Sequence, residues 1–597
     1  MAQKIPRPEH PRPDFERSSF FNLNGTWRFA FDDGSRGLRE GWEQPGHVLD
    51  RDILVPFAYQ SERSGIGGDE IHPILWYRRA FTLPADMVGK RVWLRFGAVD
   101  FKTTVWVNGR CAGSHVGGYT PFGFDISQLL KEGENDLCLR VQDEPDLAQP
   151  RGKQYWQRGL MGCWYTPVSG IWQTVYLEAT GPYAFESVLV TPDIDQCTAR
   201  LDVQLSDTPP RPLTARFVVK LNGELQQTAS FEMDKKRASL TLDMRVEGVD
   251  SPRLWSPKSP TLYELEAVLE DAGGASDSLR TWFGMRSIEV RNGQVLLNHQ
   301  PIYLRMVLDQ GYWPDTLLTP PSDEAIRADV QWIRDFGFNG VRKHQKIEDP
   351  RFYHWCDRLG LLVWGELPSS YEYSQDMLQH SMNDLHRFIR RDYNHPSLIA
   401  WVPLNESWGL REIYADPAQQ AASRMLTQLC RAADPTRIIS ANDGWEQTET
   451  DICALHDYAA DGAVLRKHFA SREQVEKTGC DKRPAYAKGV APTGREAFLV
   501  TEYGGIAMQS KGIQEDMGGM ATWGYHDKVA DEEAFLARYA DLTQAILDIP
   551  YCQGYCYTQL TDVMQEINGL LTPERTGAAG RNRVVQSSDT DSTPAAT

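Results

Sequence analysis

"SDEAIRADVQWIRDFGFNGVRK", from Ser322 to Lys343, reads as one helix followed by one strand. Ser322 can cap the helix, and Asp323 and Glu324 suit the positive end of its dipole. Ile326, Val330 and Ile333 fall on one face, and Gly337 can close the end. The helix "DPRFYHWCDRLG" and the strand "LLVWGE" repeat the unit at once. Working outward gives eight candidate strands: Ile302–Arg305, Phe338–Arg342, Leu361–Gly365, Leu398–Leu404, Ile438–Asn442, Ile452–His456, Phe498–Thr501 and Gly554–Thr558. Helical patterns or long loops separate them. Eight such units in roughly 280 residues have the size of a (β/α)8 barrel. A doubly wound sheet is the competing arrangement, but no GxGxxG or P-loop supports it.

Before residue 295 the rhythm is different. "RVWLRFGAVD" alternates, with Val92, Leu94 and Phe96 on one face. Asn108-Gly109 and Asn222-Gly223 mark hairpin turns, since both residue types tolerate positive φ. Short strands with Gly/Pro-rich turns predict a jelly roll first, and about seven strands in the next ~100 residues predict an immunoglobulin-like sandwich. The expected order is therefore a β jelly roll over 1–181, a β-sandwich over 182–292, the (β/α)8 barrel over 293–580 and a disordered tail over 581–597.

Composition bounds the partners. The 597 residues carry a formal net charge of −18, with 41% apolar and 24% charged residues. An acidic balance argues against nucleic acid or an anionic membrane surface. It leaves a neutral ligand open. The 18 Trp and 23 Tyr suit either large cores or platforms for sugar rings. Ten scattered Cys show no zinc spacing and predict buried thiols in a reducing compartment. No secretion signal or span of about 18 apolar residues is visible, so a cytoplasmic protein is the default expectation.

In a barrel of this kind, active groups gather at the C-terminal ends of the strands. Those ends offer Asp309, then Arg342, Lys343 and His344, then Glu366. Asn405 and Glu406 end the fourth strand, Asn442 and Asp443 the fifth, and His456 and Tyr458 the sixth. Glu502 and Tyr503 end the seventh, and Tyr557 and Gln559 the eighth. "LIAWVPLNES" and "AFLVTEYGG" are the two most apolar strands, and each stops on a Glu. Burying a carboxylate there is costly unless it is paired or used. One such Glu is ordinarily a surface or salt-bridged residue. Two on nonadjacent strands suit glycoside hydrolysis, where one acid protonates the leaving oxygen and the other attacks the anomeric carbon.

These segments resemble glycoside hydrolase family 2, the family of β-galactosidases, β-glucuronidases and β-mannosidases. "RDYNHPSLIAWVPLNESW" (Arg391 to Trp408) is similar to its acid/base segment and "TEYGG" (Thr501 to Gly505) to its nucleophile segment. "NLNGTWRF", "WVNGR" and "GIWQTVYLE" resemble its sugar-binding-like first domain. The resemblance implies Glu406 as general acid/base and Glu502 as nucleophile of a retaining exo-β-glycosidase. It implies that Asn405 bonds the sugar 2-hydroxyl and Tyr458 the nucleophile. Tyr557 would stand where relatives often have a Trp floor. Arg342 would support the nucleophile, or serve a structural ion pair. Glu366 and Gln559 complete the expected substrate-binding set.

Several positions depart from the family pattern. Gln345 stands where many relatives have His, so Lys343 and His344 either reach the sugar or are loop residues. Asp309 and Trp313 either contact the far hydroxyls or serve turn and packing roles. The uronate-binding Asn-x-Lys of glucuronidases is missing, for Asn568 has Leu570 where Lys would be. A sugar carboxylate loses a partner there, although Lys343 or another cation could replace it. Trp164 and Tyr165 occupy a place where some relatives present an Asp, which predicts an aromatic rim. The expected substrate is thus a terminal neutral sugar, β-galactosidase-like first. The alternatives are a β-glucuronidase or β-galacturonidase type of hexuronidase, or a non-catalytic sugar-binding relative. The family chemistry calls for no cofactor and no metal, and homo-oligomers are common in it.

Overall fold

The computed structural model of the chain describes residues 5–575, apart from 272–273, 481–482, 510–515 and 518–519. The tail expected over 581–597 lies outside the described residues. In the first region a four-stranded sheet (Phe20–Asn22, Val175–Thr180, Arg91–Phe96, Phe122–Asp125) faces a six-stranded one. Alternation decides the packing: Val92, Leu94 and Phe96 point inward with Trp27, Val105 and Leu139 as a buried core. In the next region a three-stranded and a four-stranded antiparallel sheet close over Leu201, Phe217 and Leu265. This is the seven-strand sandwich expected from the hairpin spacing.

The barrel strands are β1 (Leu304–Asp309), β2 (Gly340–Lys343), β3 (Leu362–Glu366), β4 (Leu398–Val402), β5 (Ile438–Ile439), β6 (Ile452–His456), β7 (Ala497–Gly504) and β8 (Cys552–Thr558). They pair in parallel in the order β5-β4-β3-β2-β1-β8-β7-β6. β5 and β6 form no ladder and close the ring through the segment before β6, whose Asp451 N–H donates to Ile439 O at 2.9 Å. The Ile439 N–H donates to Asp451 Oδ2 at 2.9 Å, and the Ala441 N–H to Thr450 Oγ1 at 3.2 Å. Ser322 caps helix α1 (Asp323–Asp335) by accepting from the Ala325 N–H, and Ile326, Val330 and Ile333 are its buried face.

The barrel floor is plugged. Leu304, Met306 and Leu308 of β1 point inward and pack with Trp364, Ala454 and Leu499. Ile288, Val295 and Leu297, from a small three-stranded sheet, cover this cluster. The opposite end is left for polar groups, as strand direction requires. Among the described residues no helix is long and apolar enough to cross a membrane.

Candidate active site

Strand parity decides which polar residues meet. Leu308 and Arg342 are Cα partners across β1 and β2, and so are Asp309 and Lys343. Leu308 points inward, so Arg342 does too, whereas Asp309 and Lys343 face outward. Arg342 is fully buried and reaches four strands. Its Nε donates to Glu366 Oε1 at 2.7 Å, its Nη1 to Thr501 O at 2.6 Å and Glu502 Oε1 at 3.2 Å, and its Nη2 to Asn405 Oδ1 at 3.2 Å. Asp443 Oδ1 lies 3.1 Å from the same Nη1.

One guanidinium does not balance Glu366, Asp443, Glu502 and Glu406. His456 at the end of β6 supplies a second cation. Its Nδ1 lies 2.9 Å from Glu406 Oε1 and 3.5 Å from Glu502 Oε2, and its Nε2 lies 2.8 Å from Asp443 Oδ1. Carboxylates face both nitrogens, a setting that favours the imidazolium with both nitrogens donating. Burial alone would lower its pKa; Glu502, Asp443 and Glu406 raise it to about 10. Burial would raise Glu406, but the His456 hydrogen bond and charge hold it down to about 2. An oxygen of Glu406, an oxygen of Glu502 and a nitrogen of His456 all lie within 4.8 Å of one another. That spacing could also hold a metal ion.

The backbone around Glu406 is strained to present it. Glu406 and Ser407 have φ of +51° and +57°, left-handed values that cost on the order of 1–3 kcal/mol each. The loop after β5 holds them: Glu406 N–H donates to Asp443 O at 2.8 Å and Ser407 N–H to Asn442 Oδ1 at 2.9 Å. On β7 a bulge shifts the register so that Glu502 sits opposite His456, the kind of re-aiming that bulges give a strand. The Tyr458 hydroxyl donates to Glu502 Oε2 at 2.5 Å. The Asn405 side-chain NH2 is buried and has no protein partner among the described residues. It is a free donor beside Glu406.

The rim is aromatic. The Trp408 Nε1 donates to Glu406 Oε2 at 3.2 Å, and Trp164 of the first region meets the Trp408 ring edge-on at 5.1 Å. Tyr371 packs 5.2 Å from Trp408. Tyr165 crosses to the barrel and donates to Glu566 Oε2 at 2.5 Å. Gln565 donates to Gly162 O and Trp164 O, so the loop after β8 and the first region form one wall.

The structure therefore brings Asn405, Glu406, Glu502, Tyr458, Arg342, His344 and Glu366 together and takes other expected residues elsewhere. Glu366 accepts from Arg342, from His344 Nδ1 at 2.8 Å and from the Gln345 N–H at 3.0 Å; it holds other residues and is not itself presented. Asp309 and Lys343 form a buried ion pair at 2.6 Å outside the barrel, which Glu348 joins at 2.8 Å. Neither is offered to a sugar, because β1 runs on to Asp309 and sets it facing outward. Trp313 lies under Arg575, 3.6 Å from ring centre to guanidinium, on the wall of a separate cavity. Tyr557 packs between Tyr503 and Tyr539 on the helix side, and Thr558 is the β8 residue that meets Tyr458, at 3.1 Å. Gln559 donates to Asn568 Oδ1 at 2.7 Å and braces the loop.

Sequence reasoning placed His456 and Asp443 at strand ends without a role. Tyr371, Trp408, Glu566 and Lys153 were missed, since no periodic pattern links loops of different regions.

The fold and the facing carboxylates define a three-part, barrel-based protein of the glycosidase class. The chain belongs to glycosyl hydrolases family 2. Its sugar binding domain model matches residues 20–178, the model described only by the family name matches 184–286, and its TIM barrel domain model matches 288–545. A protein of Formosa agariphila named "Putative beta-glucuronidase" is 26% identical over 76% of this chain and 42% of its own length. A β-galactosidase of Photobacterium profundum is 26% identical over 93% of this chain and 54% of its own. The chain spans about half the length of these curated relatives. The solved β-glucuronidase of Ruminococcus gnavus with D-glucuronic acid superposes with a TM-score of 0.76 at 19% identity, over 98% of this chain and all of that one; the likeness is one of fold.

Proposed function

We propose that this chain is a retaining exo-β-glycosidase that releases one terminal pyranoside by double displacement. The observation that carries this is that one oxygen of Glu406 and one oxygen of Glu502 lie within 4.8 Å of each other beside His456. Retaining enzymes hold their carboxyl groups ~5–5.5 Å apart, whereas inverting ones need ~6.5–9.5 Å to admit water. Glu502, fixed by Arg342 and Tyr458, attacks the anomeric carbon. Glu406 protonates the departing oxygen and then activates water. In the resting site the required proton sits on His456 Nδ1, 2.9 Å from Glu406 Oε1. A shift along that hydrogen bond turns Glu406 into the neutral acid, so the pair acts as one proton donor. Asn405 donates to the 2-hydroxyl, a contact that tightens in the transition state. The aromatic wall from the first region closes the pocket at one end and favours a single terminal sugar.

A terminal β-hexuronoside is the sugar class we favour, in place of the neutral sugar expected from the missing Asn-x-Lys. Two things support it: the name of the Formosa relative, and a buried cation within electrostatic reach of Glu406, Lys153. A neutral β-galactoside is the second reading, for which the name of the Photobacterium relative speaks. A side-by-side panel of aryl β-glucuronide, galacturonide, galactoside, glucoside and mannoside tests both, with the anomer of the first product read by NMR. Hexuronide cleavage that yields the β-anomer first is expected. An α-anomer first contradicts the mechanism, and cleavage of galactoside alone contradicts the sugar.

A further inference from the structure

Lys153 belongs to the first region, yet its segment is pinned against the barrel on both sides. The Arg151 and Gly152 N–H groups donate to Ser369 O at 2.9 and 3.0 Å, and the Tyr371 hydroxyl donates to Gly152 O. Gly152 has φ of +60°, and a Cβ there would lie 2.2 Å from Gln345 O, so only glycine allows this approach. On the other side the Tyr165 N–H donates to Lys153 O at 2.8 Å. Lys153 itself is buried, with 8% of the residue exposed, on the segment held between Ser369 and Tyr165. The groups that act on it electrostatically are Cys163, Glu566, Tyr371 and Glu406, in that order.

Cys163 hydrogen-bonds the ammonium as a thiol that burial holds neutral, so it brings no counter-charge. Among the described residues Lys153 forms no ion pair with a carboxylate. Glu566 accepts from Tyr165 at Oε2 and from Asn568 Nδ2 at Oε1, 3.0 Å. As the sequence leads one to expect, the loop after β8 supplies no cation, with the buried Leu570 in that place, and Lys343 is held outside the barrel. A buried ammonium without a hydrogen-bonded counter-charge is costly, and an anionic ligand group relieves that cost.

We infer that Lys153 is the specificity-determining residue for a carboxylate borne on the sugar ring, a charge supplied by the first region instead of the barrel loop. The inference rests on the hexuronoside reading above. A neutral sugar presents a hydroxymethyl group there and leaves the ammonium unanswered. A lost charge-assisted hydrogen bond is equivalent to about 10–100-fold in kcat/KM.

The test compares wild type, Lys153→Met and Lys153→Arg on 4-nitrophenyl β-hexuronides and the matching neutral hexosides. Lys153→Met is expected to lower the hexuronide-to-hexoside ratio of kcat/KM by about 10–100-fold, chiefly through KM, and Lys153→Arg to restore part of it. An equal loss on both substrates overturns the inference, because it marks Lys153 as a balance for Glu566 and Glu406 alone. Wild-type cleavage of hexuronides that Lys153→Met retains overturns the role of Lys153 and leaves the hexuronoside reading standing. Cleavage of hexosides alone by wild type overturns both. If Lys153→Met does not fold, the unaltered protein decides: free hexuronic acid must inhibit it more tightly than the matching hexose, and the reverse order overturns the inference.

Discussion

His456→Gln tests the proton account most sharply. The imidazolium lies 2.9 Å from Glu406, 2.8 Å from Asp443 and 3.5 Å from Glu502. In wild type the pair loses its catalytic proton only when His456 titrates, and its pKa is raised to about 10. The alkaline limb of kcat/KM should therefore lie near pH 10. Glutamine keeps a donor but carries no titrating proton, so Glu406 must hold the proton alone. Glu502 then raises its proton affinity by repulsion. At no more than 4.8 Å and an effective dielectric of ~20, that repulsion is about 3.5 kcal/mol. This holds a proton into the neutral range but not to pH 10. The limb should move acidward by about 2–3 pH units, with kcat/KM at pH 9 falling about 10²-fold or more. The assay is a pH profile of kcat/KM with an unactivated aryl glycoside. An alkaline limb that stays in place refutes the shared proton. Equal losses at every pH would instead assign His456 to holding the site together.

Two further outcomes follow from named contacts. Glu406→Ala should lose ~10²–10⁴-fold on substrates with poor leaving groups and far less on dinitrophenyl glycosides, with azide restoring turnover as a glycosyl azide; uniform loss with no rescue contradicts the acid/base role. Asp384, on helix α2 (Gln375–Asp392) and buried against the first region, is raised to about 7 by burial, which Arg387 at 3.6 Å and the Thr120 hydroxyl at 3.3 Å offset only in part. Its folded pKa lies above the unfolded one, so the fold binds the extra proton and loses stability as pH rises from about 4 through 7. Asp384→Asn should therefore stabilise the protein more at pH 8 than at pH 5, by at most about 3 kcal/mol, and thermal melts with equal shifts at both pH values contradict this.

Much of the barrel is legible because apolar runs and helical periods alternate. Glu406 and Glu502 stand out because each ends a strand too apolar to bury a carboxylate idly. Parity was the weak point. β1 was expected to stop at Arg305 but runs from Leu304 to Asp309, so Asp309 falls within the strand and faces outward. Tyr557 fails likewise, with Thr558 taking the inward place. A period of two leaves no margin for a one-residue error. Glu502 escapes it only through the β7 bulge, which a sequence pattern does not display. Lys153, Trp164 and Tyr165 lie more than 200 residues before Glu406 and more than 300 before Glu502, and only docking of the first region brings them near.

The most direct measurement is mass spectrometry of protein treated with a 2-deoxy-2-fluoro β-glycosyl fluoride of the preferred sugar. A single covalent sugar on Glu502, lost slowly in buffer and absent in Glu502→Gln, is the predicted result. An adduct on Glu406, or full turnover by Glu502→Gln, contradicts the assignment of the two carboxylates.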